Sequence, residues 1–290
     1  MTDLLLTPTF LAALDRLALV SRRLRAGAYK GERRSPRRGG SVEFADFREY
    51  APGDDFRQID WNAYARLEKL FLRLFVEEED ATVHVLLDAS QSMAWGEPRK
   101  WESAQRVAAA LGYIALVGLD RLSAATLGAH SVLRPLRGKK NALAFFTWLA
   151  ERQPAGQATP AITLRQYAAR ARRAGPLIVI SDLMDDGWRE GILELATQHY
   201  EVTVVHLVAP QELVPAFEGD LKLVDSETAA AIEITADYDL LARYRARAQT
   251  WQAEWQHFCA ARAINYVGVT TATPFQDLVL SILRQRGILH

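Results

Sequence analysis

Only one cysteine, Cys259, occurs in 290 residues, so no intrachain disulfide can form and a reducing compartment is the expected setting. A charge imbalance is missing as well. Lys+Arg and Asp+Glu stand at 35 each, which removes the overall field that would draw the chain to nucleic acid or an anionic membrane. Long apolar runs are lacking: Val107 to Leu119 is bounded by Arg106 and Asp120 and is too short to span a bilayer. The opening M-T-D-L-L-L-T-P has neither the basic start nor the cleavage site of a signal peptide. A cytoplasmic protein without a membrane span is therefore expected, with no nucleic acid among its partners. No G-x-G-x-x-G, G-x-x-x-x-G-K-[ST], G-x-S-x-G or H-E-x-x-H occurs, so nucleotide binding, the serine-hydrolase elbow and zincin chemistry lack their signals.

What is present is a core-forming composition, 49% hydrophobic and 24% charged, in a chain long enough for one domain of about 200 residues and an appendage. Thr7-Pro8 reads as an N-cap with proline at the first helical position, opening a helix to about Arg25 with Leu11, Leu14, Leu17 and Ala18 on one face. From Arg22 to Arg38, eight basic residues meet one acid, Glu32, which reads as an exposed loop, either solvated or touching an acidic partner. Acids, arginines and aromatics then interleave from Ser41 to Glu79, with a turn at Pro52-Gly53 and a strand at Leu70 to Val76. Its charges, among them Arg48, Asp54, Asp60 and Arg66, read as an ion-pair network fastening the segment to the main sheet.

From residue 81 onward strands and helices alternate. Thr82–Leu87, the run G-P-L-I-V-I-S-D-L that terminates in Asp182, Glu201–Val208 and Ile264–Val269 read as buried strands, and Ser123–Gly128 and Ser131–Leu136 as two shorter ones. Between them lie helices at Arg99–Leu119, Asn141–Arg152, Leu164–Ala174, Arg189–His199 and Ala236–Arg262, with Phe275–Arg286 last. Leu221–Val224 and Ala231–Ile234 form a hairpin insertion near 210–235. The aromatic stripe Tyr244, Trp251, Trp255 and Phe258 reads as core, and His84 and His206 as satisfied core residues. The expected architecture is α/β: a doubly wound, mostly parallel sheet with helices on both faces over 81–290, preceded by an N-terminal helical and extended segment over 1–80.

The strand Thr82–Leu87 stops at D-A-S-Q-S, so Asp88, Ser90 and Ser92 offer one carboxylate and two hydroxyls within five residues. One reading is an Asp N-cap with polar turn residues. The other is a set of oxygen ligands for a hard cation such as Mg²⁺ or Mn²⁺, placed where open α/β sheets bind ligands, beyond the carboxyl end of a strand. Thr159 lies in a later loop, with Thr163 as its alternative, and the buried strand L-I-V-I-S ends on Asp182. All three loops are expected to converge on one edge of the sheet.

D-A-S-Q-S, A-T-P and I-S-D together resemble the metal-ion-dependent adhesion site of von Willebrand factor A domains. Upstream, E-F, R-E-Y, G-D-D-F-R, I-D-W and A-R, at Glu43-Phe44, Arg48–Tyr50, Gly53–Arg57, Ile59–Trp61 and Ala65-Arg66, resemble the signature of the domain-of-unknown-function fifty-eight family. In that family such a block leads directly into an A-type domain. The resemblance implies a metal site at Asp88, Ser90, Ser92, Thr159 and Asp182. It also implies a protein partner, a MoxR-type AAA+ ATPase or its client, that reaches the ion through an Asp or Glu. A non-enzymatic binding module is the expectation, because no His or Glu in these loops is placed to activate a metal-bound water. The alternatives are a phosphoester hydrolase with Asp88 as nucleophile, weakened because Ser90 stands where D-x-D needs its second acid, and a structural adaptor with an empty site.

Overall fold

The computed structural model describes residues 5–20, 42–52, 54, 56–77, 82–128, 131–156, 159–170, 173–226, 228 and 230–290. The basic loop 22–38 lies outside them. Two compact units form, one from residues 21–80 and one from residues 1–20 with 81–290.

In the smaller unit, strand β1 (Val42–Glu49) pairs antiparallel with β2 (Phe71–Glu77), with a register shift between Phe44 and Asp46. The β1 strand was not anticipated, because its alternation of charge and aromatic residues has no apolar period of its own. A short helix, Trp61–Leu67, sits between the strands. Asp60 caps it by accepting from the Asn62 and Ala63 amides at 2.9 and 3.1 Å, relieving two of the unpaired N–H groups of the first turn. Arg48 pairs with Asp54 at 2.8 Å and Lys69 with Glu49 at 3.2 Å, both inside this unit.

The larger unit is built on a six-stranded sheet. Its strands in chain order are β3 (Thr82–Asp88), β4 (Arg121–Leu127), β5 (Ser131–Arg137), β6 (Pro176–Ser181), β7 (Glu201–Val208) and β10 (Asn265–Thr270). Their spatial order is β10-β7-β6-β3-β4-β5. Every pairing is parallel except β4 with β5. Counted within this sheet the order is 3-2-1-4-5-6, the doubly wound arrangement, whose direction of winding reverses between β3 and β6. Side chains alternate across the sheet: Val83, Val85 and Leu87 enter one core and Leu86 the other. The first core holds the Lys100–Val117 and Ala142–Ala150 helices, the second Leu164, Trp188, Ile192, Trp255 and Phe258.

The Lys100–Val117 helix buries nearly all its circumference rather than a single stripe. The Ala142–Ala150 helix approaches so closely that a Cβ on Gly112 would lie 2.2 Å from Phe145. The N-terminal helix ends at Leu14 rather than near Arg25. Beyond it Asp15 accepts from the Tyr113 hydroxyl at 2.7 Å, and Leu19 bridges to Leu289, so tertiary contacts pull the chain out of the helix. The Phe275–Arg286 segment is helical but carries a π-helical turn over Leu278–Ile282. The hairpin insertion is a separate two-stranded sheet, β8 (Gly219–Val224) with β9 (Ala231–Ala236). Along the following helix, Tyr238–Ala260, Trp255 and Phe258 are buried, whereas Tyr244 is exposed and donates its hydroxyl to the Glu212 carbonyl at 2.8 Å. Among the described residues no helix is long and apolar enough to cross a membrane.

Candidate metal centre

The reversal point puts the carboxyl ends of β3 and β6 side by side. Asp88 closes β3, and Ser181 closes β6 directly before Asp182. The Ser181 hydroxyl donates to Asp88 Oδ2 at 2.6 Å and accepts from the Leu183 amide at 2.9 Å. The other oxygen, Asp88 Oδ1, accepts from the Ser90 amide at 2.9 Å, an Asx-type turn that folds D-A-S back on itself. That turn brings the Ser90 and Ser92 hydroxyls within 2.9 Å of each other. Backbone bonds pin the loop on both flanks: Ala89 N–H to the Leu127 carbonyl at 2.8 Å, and Gln91 N–H to the Gly156 carbonyl at 3.0 Å.

Asp88, Ser90, Ser92 and Asp182 thus gather at one sheet edge. Thr159 is the exception. Ala155, earlier in the same connection, is stitched to the Asp88 loop by its N–H bond of 2.8 Å to the Ala89 carbonyl, but Thr159 is an exposed residue whose hydroxyl has Thr163 as its neighbour, at 3.4 Å. Thr163 is buried and donates back to the Thr159 carbonyl at 2.9 Å within its own helix.

Burial, and then the negative charge of Asp182, push the Asp88 carboxyl up to about 6, against the pull of the Ser181 and Ser90 hydrogen bonds. Among the described residues no basic side chain forms a salt bridge with Asp88. Asp182 is different, because Lys100 lies against it: Nζ donates to Asp182 Oδ2 at 2.6 Å and also to Glu212 Oε1. Lys100 and Asp182 are each 1% exposed. Burial would push this ammonium down, but the charges of Asp182 and Glu212 outweigh it and hold its pKa above the ordinary value. Burial raises the Glu212 carboxyl, with Lys100 opposing. The second Glu212 oxygen accepts from the Ala209 amide at 2.7 Å.

Lys100 and Glu212 were not among the expected site residues. Lys100 had one sequence signal: a cation in the first turn of a long helix, where the macrodipole disfavours positive charge. Glu212 had none beyond its place in A-P-Q-E. The two buried histidines also part ways. His84 is satisfied on both sides: Nε2 donates to the Arg173 carbonyl at 3.0 Å, and Nδ1 accepts from Tyr167 at 2.7 Å. His206 bonds Tyr266 through Nδ1 at 2.7 Å, but its buried Nε2 faces the Asp182 main chain without a hydrogen bond of good geometry. The expectation of a fully satisfied His206 is therefore half right.

Comparisons with known proteins give a family. The family model described as protein of unknown function DUF58 matches residues 46–254. An uncharacterized protein of Mycobacterium tuberculosis is 26% identical over 238 residues, which cover 79% of this chain and 75% of that protein. Among solved structures, the conserved hypothetical protein BatB from Bacteroides thetaiotaomicron is similar at 14% identity and a TM-score of 0.44, over 71% of this chain and 98% of that one. The SpRpn10 VWA domain is similar at 14% identity and a TM-score of 0.40, over 69% and 93%. The family match spans well over half of the chain, and this protein belongs to the DUF58 family of proteins of unknown function.

Proposed function

We propose that the protein is a metal-dependent protein-binding module of the von Willebrand factor A type. Asp88, Ser90 and Ser92 would hold Mg²⁺ or Mn²⁺, with Thr159 and Asp182 completing the shell directly or through water. The observation that carries this reading is Asp88, a fully buried carboxylate satisfied only by neutral donors, with two hydroxyls folded beside it. A buried anion without a cationic partner is costly, and a divalent ion would offset that cost. Among the described residues no three His, Cys, Asp or Glu side chains gather to hold a metal. An ion here would therefore rest on two carboxylates and hydroxyls, the hard oxygen donors that suit Mg²⁺ or Mn²⁺ better than softer metals. Such a shell keeps a water that an Asp or Glu of a partner can replace. That partner is a MoxR-type AAA+ ATPase or its client, met in the cytoplasm.

Binding is favoured over hydrolysis because hydrolysis would need a base beside a metal-bound water. The imidazole next to Asp182 belongs to His206, which is closed off from solvent and pushed down to about 4 by burial. Titration calorimetry with Mn²⁺ tests the site. Wild type should bind and Asp88→Ala should not, with circular dichroism unchanged between them; equal binding by the variant would remove the assignment. Retention of the partner ATPase on the immobilised protein should be lost in EDTA while the fold persists.

A further inference from the structure

Lys100 is the least expected side chain in the larger unit: a lysine 1% exposed, at the start of an 18-residue helix, enclosed with two acids from distant loops. Its surroundings are built rather than incidental. The Gln211 side chain grips the Glu97 backbone from both sides, accepting from its N–H at 3.3 Å and donating to its carbonyl at 2.8 Å. Gly96 lies against Ala209 so closely that a Cβ there would fall 2.6 Å from the alanine methyl. These contacts close the Trp95–Arg99 loop onto the Pro210–Leu213 turn, and Lys100 and Glu212 belong to the two sides of that closure. On Asp182, Lys100 holds Oδ2, while Oδ1 accepts only a long bond of 3.3 Å from the Met184 amide.

We infer that Lys100 is the resident counter-cation of the metal centre, a positioning residue that occupies one oxygen of Asp182 and competes with a divalent ion for that carboxylate. The inference rests on the metal-binding reading of the site. Its reasoning is electrostatic. An ammonium already balances Asp182, so the unit folds without an ion and the site binds an ion less tightly than its two acids would by themselves. With Asp182 held through Oδ2, an ion meets it through Oδ1 or a water. A partner carboxylate then contributes a correspondingly larger share of the binding, which suits reversible capture.

The test uses the 290-residue chain, with Mn²⁺ as the probe, in wild type, Lys100→Met and the double variant Lys100→Met/Glu212→Gln, which also removes one of the two acids left unpaired. The readouts are Mn²⁺ affinity by calorimetry and the rise in melting temperature that Mn²⁺ produces over EDTA. Both variants should melt lower than wild type in EDTA and gain more from Mn²⁺. Lys100→Met, which removes one unit charge a few ångströms from the ion, should bind it more tightly by about tenfold or more, and the double variant, which removes a positive and a negative charge together and frees Asp182 Oδ2, by a smaller factor. Variants that fold only when Mn²⁺ is supplied would be the same behaviour at its limit. Wild-type affinity with an unchanged Mn²⁺ response would make Lys100 a purely structural cation and overturn the inference, as would failure to fold even with Mn²⁺. A wild type that binds while the variants do not would overturn it too, leaving the metal reading intact. Silence in all three proteins removes both ideas. A silent wild type with binding variants would support the competition by Lys100 while removing the metal-dependent function proposed for the wild-type protein.

Discussion

Replacing Asp88 by Asn should make the protein more stable in EDTA while abolishing its response to Mn²⁺. Burial and Asp182 raise the carboxyl from 3.8 to about 6, so keeping it ionised at neutral pH costs about 3 kcal/mol. Asn removes the charge but cannot accept from both the Ser90 amide and the Ser181 hydroxyl, which returns about 1 kcal/mol. A net gain of about 2 kcal/mol remains, or roughly 4–8 °C in melting temperature for a unit of this size. The sign with pH follows from linkage. Between pH 6 and 3.8 the folded wild type binds a proton that the unfolded chain does not, so wild-type stability recovers as pH falls through that window. The advantage of the variant should therefore shrink to near zero at about pH 4.5. Urea unfolding in EDTA at about pH 7.5 and 4.5 measures both values. With saturating Mn²⁺ the order should reverse, because only wild type gains from the ion. A variant less stable than wild type in EDTA at neutral pH, or a gain that does not change with pH, would refute the argument that Asp88 is an uncompensated buried charge.

His84 should steepen acid unfolding. Burial lowers its pKa from 6.5 to about 4, so the unfolded chain binds the extra proton in that window and up to about 3 kcal/mol is lost as pH falls through it. His84→Gln should flatten that slope in urea midpoints, and an equal slope would sink the assignment. Gly112→Ala drives a methyl into Phe145 and should cost about 1–3 kcal/mol by overpacking. Pairing it with Phe145→Leu should recover part of the loss, read as a coupling in a double-mutant cycle. Asp60→Ala removes the cap of the Trp61–Leu67 helix and should cost the smaller unit about 1 kcal/mol, visible as faster amide exchange at Asn62 and Ala63.

Read from the amino acids alone, the strand–helix alternation over 81–290 was legible because side-chain period and turn chemistry are written in neighbouring residues. The Glu201–Val208 strand and the end of β3 on Asp88 came directly from unbroken apolar runs that stop at a polar residue, and β6 ends on Ser181, one residue before the Asp182 at which its run was read to stop. D-A-S-Q-S marked its loop for the same reason, since the Asx turn joins residues two apart. Pairings between distant residues were not legible. The β1 strand forms against a partner more than twenty residues on, and the first helix stops at Leu14, next to the Asp15 that Tyr113 holds and ahead of the Leu19 bridge to Leu289. By its own identity Lys100 reads as a surface residue at an unfavourable helix position. It is buried because the sheet order carries Asp182, 82 residues away, and Glu212, 112 residues away, to the same point. A charge can leave water only where opposite charges already wait for it, and that placement is decided by how the strands stack, not by any residue's neighbours in the chain.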